Sequence, residues 1–318
     1  MRNRPTPRAL LAAALAVGTL TACGDDTTGA AADQLAVVAA FYPLQFVAER
    51  VGGDAVHVTN LAKPGAEPHD LELNADQVAQ IADAKVVVYL KGFQPAVDEA
   101  VEQQGADRAF DVSTAVPLLD ASDAGHSHEG EEEPGGDEHE EEASGGKDPH
   151  VWLDPTRLAT IGDKVAERLG QADPDHAADY TARAAALRTD LDTLDKEYAA
   201  GLKTCERREI VTSHSAFGYL ADRYDLEQIG ITGLTPEDEP SPQRLAEVAT
   251  EAREHKATTI FFETLVSPKV AETIASEVGA KTAVLDPIEG LEPGSSDDYF
   301  SVMRKNLAVL GPALGCGT

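Results

Sequence analysis

The sequence predicts an α/β protein: two similar α/β lobes with mostly parallel sheets, joined by one long rigid bridging helix. Three observations predict it. Short β-rich runs alternate with helical patterns in the first half. The same rhythm returns after residue 204. Between the halves lies one long, uninterrupted amphipathic segment. Strands that alternate with helices call for parallel layering, because each crossover helix returns the chain to the same end of the sheet.

In chain order, Leu35–Phe41 is a buried apolar run of strand type. Pro43, at a helix start, leads into Leu44, Phe46, Val47 and Val51 at helical spacing. Val56–Leu61 is a second strand, Asn74 caps a helix carrying Val78 and Ile81, and Val86–Leu90 is a third strand. After residue 204 come a strand at Glu209–Ser213, a helix at Ala216–Tyr224 and a strand at Leu226–Ile231. A helix at Pro242–His255, a strand at Thr258–Phe262 and a helix at Pro268–Val278 follow. Thr282–Leu285 and Asp298–Leu310 are the last strand and the closing helix. The bridge starts where Asp173 can cap and Pro174 can begin a helix. Its apolar face is Ala177, Tyr180, Ala184, Leu187, Leu191, Leu194, Tyr198 and Leu202, in steps of mostly three and four. No Gly or Pro interrupts it before Gly201. About 28 residues at ~1.5 Å each make a rod of ~42 Å, longer than one lobe is wide. A coiled-coil dimer is the weaker alternative, since clean charge pairs beside the seam are few.

The expected organisation is therefore a signal peptide over 1–22, a tether over 23–34 and an N-terminal lobe over 35–172 that contains an acid- and His-rich loop at 123–147. The bridging helix spans 173–203 and the C-terminal lobe 204–318. Arg2, Arg4 and Arg8 precede a short apolar stretch, Ala9–Leu20, that is too short to remain as a membrane span. Leu20-Thr21-Ala22-Cys23 resembles a bacterial lipobox, which implies cleavage before Cys23 and a lipid on its thiol. The mature chain is then exported and anchored to the outer face of the cell membrane.

Cleavage takes three arginines and no acid, so a net charge of −30 becomes more negative still. That excludes nucleic acid as a partner, since no basic patch is present to neutralise phosphates, and it favours cations near the surface. With Cys23 lipidated, Cys205 and Cys316 remain in an oxidising compartment, where one disulfide is the simplest outcome and two free thiols the alternative.

Ligands of open α/β sheets bind beyond the carboxyl ends of the strands. Four polar residues follow strands or sit in proline-stiffened loops: His69, His150, His214 and Asp286, two from each lobe. Pro68, Pro149 and Pro287 adjoin three of them and restrict the backbone that presents the side chain. Three imidazoles and one carboxylate make a four-coordinate set suited to Zn²⁺. Any one of these histidines alone would be an ordinary loop residue; the joint placement, facing one interlobe cleft, carries the metal reading. Glu239 and Glu263 are expected to back the ligands rather than bind, with Glu263 also a competitor of Asp286 for the metal.

At these residues the chain resembles the solute-binding lipoproteins of metal-ion ABC importers, of the zinc type. The resemblance lies in "PGAEPHDLEL", "DPHVWLDP", "VTSHSAFGYLADRYDL", "ITGLTPEDEPSPQRLAEV" and "VLDPIEGL", in order over essentially the whole mature chain. It implies capture of a divalent transition metal between two lobes, and delivery to a membrane permease and its ATPase by a monomeric, lipid-anchored protein. The implied ligands are again His69, His150, His214 and Asp286. Within that family a histidine at the third position, here His214, goes with zinc and a glutamate with manganese. Imidazole suits Zn²⁺ and carboxylate-rich sites suit harder Mn²⁺, whereas affinity order alone leaves Cu²⁺ and Ni²⁺ open.

The run from Asp123 to Gly146 carries ten acids and three histidines, with nothing large and apolar. It is expected to be disordered. His126, His128 and His139 are expected to collect metal weakly, or else to be part of an inert solvated insertion. An enzyme is not expected: four protein ligands leave no open position for a zinc-bound water, and no His-Glu-x-x-His helix or Gly-x-Ser-x-Gly elbow occurs. The other readings are a component of an importer for Mn²⁺ or another divalent metal, and a surface adhesin stabilised by metal.

Overall fold

The computed structural model describes Met1, residues 34–121 and residues 146–317. The signal, the tether, Cys23 and the histidines at 126, 128 and 139 lie outside the described residues. Residues from Gln34 onward form one compact unit. Two four-stranded parallel sheets organise it, in the orders β2-β1-β3-β4 and β6-β5-β7-β8. The first comprises β1 (Leu35–Ala39), β2 (Val56–Asn60), β3 (Val86–Tyr89) and β4 (Ala109–Asp111), connected by α1 (Tyr42–Gly52), α2 (Ala75–Asp83) and α3 (Pro95–Gln104). A helix α4 (Pro155–Ala172) then leads into the bridge, α5 (Ala177–Gly201). The second sheet comprises β5 (Glu209–Thr212), β6 (Glu227–Gly230), β7 (Thr259–Phe262) and β8 (Lys281–Val284), with α6 (Gly218–Tyr224), α7 (Pro242–Glu254) and α8 (Lys269–Val278) between them. The chain closes on α9 (Tyr299–Leu314).

Local chemistry sets the element ends. Asn74 forms the expected cap of α2, accepting from the backbone of Asp76 and Gln77, while Gln77 returns a side-chain bond to Asn74 N–H. The bridge is shorter than its apolar pattern. Pro174–His176 form a 3₁₀ turn, and the Asp173 carboxylate accepts from Tyr180 Oη and pairs with His176 Nδ1 instead of capping a helix. The α-helical part has 25 residues, ~38 Å. In the other direction α9 outruns its expected end at Leu310. Pro312, inside its last turn, removes one donor without breaking it, and Gly315 at φ 67° closes it. The sequence reading named no element at α3, β4 or α4; β4 has three residues and only half-buried side chains, too little alternation to register.

The predicted face of α5 is the buried one: Tyr180, Ala184, Leu187, Leu191, Leu194 and Tyr198. Tyr198 Oη donates to Met303 O of α9 at 2.6 Å, and Arg304 of α9 pairs with Glu197. The first sheet, α5, α6 and α9 share one continuous core. Alternation along the second sheet divides its side chains. Ile210 and Phe261 face that shared core, whereas Val211, Ile229 and Ile260 pack with Val248, Ala252, Ala271 and Ile274 of α7 and α8 in a separate, smaller core. The structure has one large core that crosses between the sheets and one small outer layer.

Cys205 and Cys316 are joined in a disulfide that closes 111 residues of chain, tying the segment before β5 to the end of α9. Cross-linking over a loop of that length restricts the unfolded chain strongly. Reduction, or the Cys205→Ala/Cys316→Ala double substitution, is expected to lower unfolding free energy by about 2–5 kcal/mol. Urea unfolding with and without reductant checks this, and a thiol assay on denatured, unreduced protein is expected to find neither cysteine free.

Candidate metal centre

In each sheet the order reverses at the first strand of the set, between β1 and β3 and between β5 and β7. Such switch points open a crevice at the carboxyl ends of the strands. His214 leaves β5 at the second crevice, and Glu263 leaves β7 beside it. His69 comes from the loop after β2. That loop turns at Gly65, whose φ of +83° suits glycine, and Glu67 accepts from His69 N–H to fix the backbone. The ring edge of His69 meets Phe93, 4.5 Å between centroids. His150 heads a 3₁₀ turn, Val151–Leu153, that is wholly buried.

The three imidazoles converge. Ring centroids lie 5.4 Å (His69–His150), 5.9 Å (His69–His214) and 5.3 Å (His150–His214) apart. The fourth member is Glu289, and the four donor atoms all lie within 4.8 Å of one another. Glu289 Oε1 is 3.1 Å from Nε2 of both His150 and His214 and 3.4 Å from that of His69. Tetrahedral zinc with ligands at ~2.0–2.1 Å separates those ligand atoms by ~3.3 Å. The three separations from Glu289 Oε1 lie close to that value, so the group could hold a shared ion. Glu289 Oε2 is buried without a hydrogen-bond partner among the described residues.

Two carboxylates outside this group orient the rings. Asp148 Oδ1 lies 2.8 Å from His150 Nδ1 and also accepts from His150 N–H. Glu263 Oε1 lies 2.7 Å from His214 Nδ1 and accepts from Ser213 Oγ. A carboxylate at Nδ1 keeps the proton there and aims the Nε2 lone pair at the metal position. The His214 carbonyl is itself held by Thr212 Oγ1 and Gln228 Nε2. Tyr219 Oη donates to Asp148 O and accepts from Leu119 N–H, linking α6 to both roots of the acid run. Those roots meet in an antiparallel bridge, Asp120 to Lys147, closed by an ion pair between the same two residues.

The carboxylate differs from the sequence expectation. Asp286 is spent on its own turn: Oδ1 accepts from Ile288 N–H at 2.7 Å and Oδ2 from Thr264 Oγ1 at 3.0 Å. It is not in the group, and Glu289, three residues on, takes the place. Strand-end reasoning pointed to the first acid after β8, but the turn carries the chain further before a side chain faces the cleft. Glu263, named as a backing acid, hydrogen-bonds His214. Glu239 lies exposed in the loop after β6 and is not brought to the group; from that loop Glu237 meets Glu67 instead. Asp148 was missed altogether. The signal for it was its place two residues before His150 in Asp148-Pro149-His150, the reach of an Asx-type bond to backbone and ring.

Burial and charge set the protonation of the group. Burial lowers His69, and the Glu289 interaction does not offset it. Burial also acts to lower His150, but the Asp148 bond and charge, then Glu289, carry it above the usual imidazole value. The charges of Glu263 and Glu289 raise His214 well above it against the same penalty. Burial pushes Glu289 up, and the three histidines more than reverse that, holding it well below the usual carboxylate range. Burial, with the charge of Glu289, raises Glu67 to about 9, and burial raises Asp286 to about 6.

Fold and centre together define the class: a two-sheet α/β protein that encloses a three-histidine, one-glutamate metal group between its halves. The chain belongs to the family described as the zinc-uptake complex component A, periplasmic, whose pattern matches residues 37–313. It is 37% identical over 282 residues to the zinc-binding protein AdcA of Streptococcus pyogenes, covering 86% of this chain but 55% of that protein. The chain thus spans about half the length of the AdcA relatives it matches. To the high-affinity zinc uptake system protein ZnuA of Bacillus subtilis it is 36% identical over 305 residues, 93% of each chain. The Zn(II)-bound ZnuA-like domain of Streptococcus pneumoniae AdcA superposes with a TM-score of 0.72 at 34% identity, covering 88% of this chain and 99% of that one.

Protons and a metal compete for the same Nε2 atoms, so the raised His150 and His214 predict a specific pH dependence. In the metal-free protein they contribute stability that is fully present below the ordinary histidine value of 6.5 and is lost as pH rises through their folded values. Metal affinity runs the other way, since binding releases those protons. The thermal upshift produced by Zn²⁺ is expected to grow from pH 6 to pH 8. Calorimetry in buffers of different ionisation enthalpy should show net proton release.

Proposed function

We propose that this chain is the extracytoplasmic solute-binding component of an ABC importer, which captures Zn²⁺ at His69, His150, His214 and Glu289 and delivers it to the membrane permease and its ATPase. The observation that carries the reading is the buried group itself: three Nε2 atoms around one carboxylate oxygen at distances a tetrahedral ion requires. Three imidazoles and one carboxylate favour zinc over manganese, which prefers oxygen-rich sites. Two relatives named for zinc support the same cargo. Four protein donors leave no open coordination position for a reactive water, so the group suits carriage rather than catalysis.

The rest of the reading follows from the sequence. Cys23 carries lipid and anchors the mature, monomeric protein to the outer face of the membrane. The acid- and His-rich stretch, with His126, His128 and His139, gathers metal weakly.

Substituting His69, His150 or His214 by Ala is expected to reduce Zn²⁺ affinity sharply in each case, measured by competition against a chelator. Near-native tight binding in all three would overturn the assignment. Removal of residues 123–146 should retain one tight Zn²⁺ and lose only weaker ones. In cells, deletion is expected to impair growth under zinc limitation, with recovery on added zinc; a growth phenotype indifferent to zinc would point to an adhesin instead.

A further inference from the structure

Glu289 reaches the imidazoles from a turn that does not form without help. Ile288, the residue before it, is fully buried, β-branched and held at φ 60°. A branched side chain in the left-handed region crowds its own backbone, so other contacts must impose the conformation. Three contacts do so. Asp286 Oδ1 takes the Ile288 N–H at 2.7 Å, while Asp286 is itself fixed by Thr264 Oγ1 and, through its backbone, by both polar atoms of the Asn306 side chain. Trp152 Nε1 donates to Pro287 O at 2.7 Å across 135 residues of chain. Gly65 N–H donates to Leu291 O at 2.8 Å.

We propose that Asp286 and Trp152 are positioning residues for the metal: together they hold Ile288 in its left-handed conformation and so place the Glu289 carboxylate against the three imidazoles. The inference rests on the zinc-capture reading above. It assigns Trp152 two tasks from one buried ring. One face packs beside His150, 5.3 Å between centroids, while its N–H clamps the segment that brings the carboxylate. Although Glu289 follows the second sheet in sequence, Trp152 and Gly65 belong to the first half of the chain. The carboxylate is thus held partly from the half that supplies His69 and His150, through Trp152 and Gly65, and partly from its own half, through Asp286.

The test is a set of Zn²⁺ affinities, measured by chelator competition, for wild type, Asp286→Ala, Asp286→Asn, Trp152→Phe and Glu289→Gln, and for the first three substitutions combined with Glu289→Gln. Asp286→Ala and Trp152→Phe are each expected to weaken binding about 10- to 100-fold, as loss of a group that orients a ligand does. Asp286→Asn keeps an acceptor oxygen for Ile288 N–H and should bind with about wild-type affinity. In the Glu289→Gln background neither Asp286→Ala nor Trp152→Phe should cost much more, because the group they position is already changed. Equal losses for Asp286→Asn and Asp286→Ala would make Asp286 a ligand and overturn the proposal. So would an unchanged affinity in Asp286→Ala, or losses that simply multiply with Glu289→Gln. If Asp286→Ala does not fold, Trp152→Phe and Asp286→Asn decide the matter alone. Wild-type protein that binds no Zn²⁺ overturns the zinc reading itself, an outcome distinct from binding without the expected coupling.

Discussion

A single carboxylate oxygen, Glu289 Oε1, surrounded at 3.1–3.4 Å by three imidazole nitrogens in a buried space, is the constraint around which the rest of the structure is arranged. A buried carboxylate is costly unless positive charge accompanies it. Here that charge can be protons on imidazole or a metal ion, and the two alternatives exclude each other at the same atoms. The outer carboxylates, Asp148 and Glu263, tilt the balance in both directions at once. They favour a charged ring in the empty protein, and they fix the tautomer that a metal needs. Affinity and pH sensitivity therefore come from the same hydrogen bonds.

The scaffold answers this constraint with stiffness. Ridges on α5 pack into both halves, Tyr198 bonds α9 through Met303 O, and the core runs unbroken from the first sheet through α6 and α9. A continuous core resists the wide hinge opening available to lobes joined by flexible strands. By contrast α7 and α8 pack on the second sheet through a separate, smaller apolar cluster, a division between a thick core and a thin outer layer. The strained Ile288 turn, at a cost on the order of 1–3 kcal/mol, lies on the stiff side of that division.

Much of the fold was legible because its signals are local. Alternation and capping residues placed β1 to β3, α2 and the second-half elements, and steps of three and four placed the bridge. Three members of the buried group were legible for a similar reason, since His69, His150 and His214 stand at strand ends or between prolines. The carboxylate was not. Asp286 and Glu289 are both acids within one short turn, and only the backbone path through a left-handed Ile288 decides which faces the cleft. A branched residue gives no sequence signal for positive φ, as glycine or asparagine would. Likewise the sharing of one core between the sheets depends on which face of β5 and β7 looks inward. That is a tertiary fact that each strand alone leaves open.

Trp152 is the only tryptophan of the chain. Its indole is buried, with its N–H committed to Pro287 O and its ring beside His150. Near-ultraviolet absorption and emission from indole therefore arise at a single point, adjoining two of the four donors. The molecule carries its own optical gauge of the centre: a change of charge on His150 or a shift of the Glu289 segment reaches the one indole directly, and its emission can be excited at the long-wavelength edge where the seven tyrosines do not absorb.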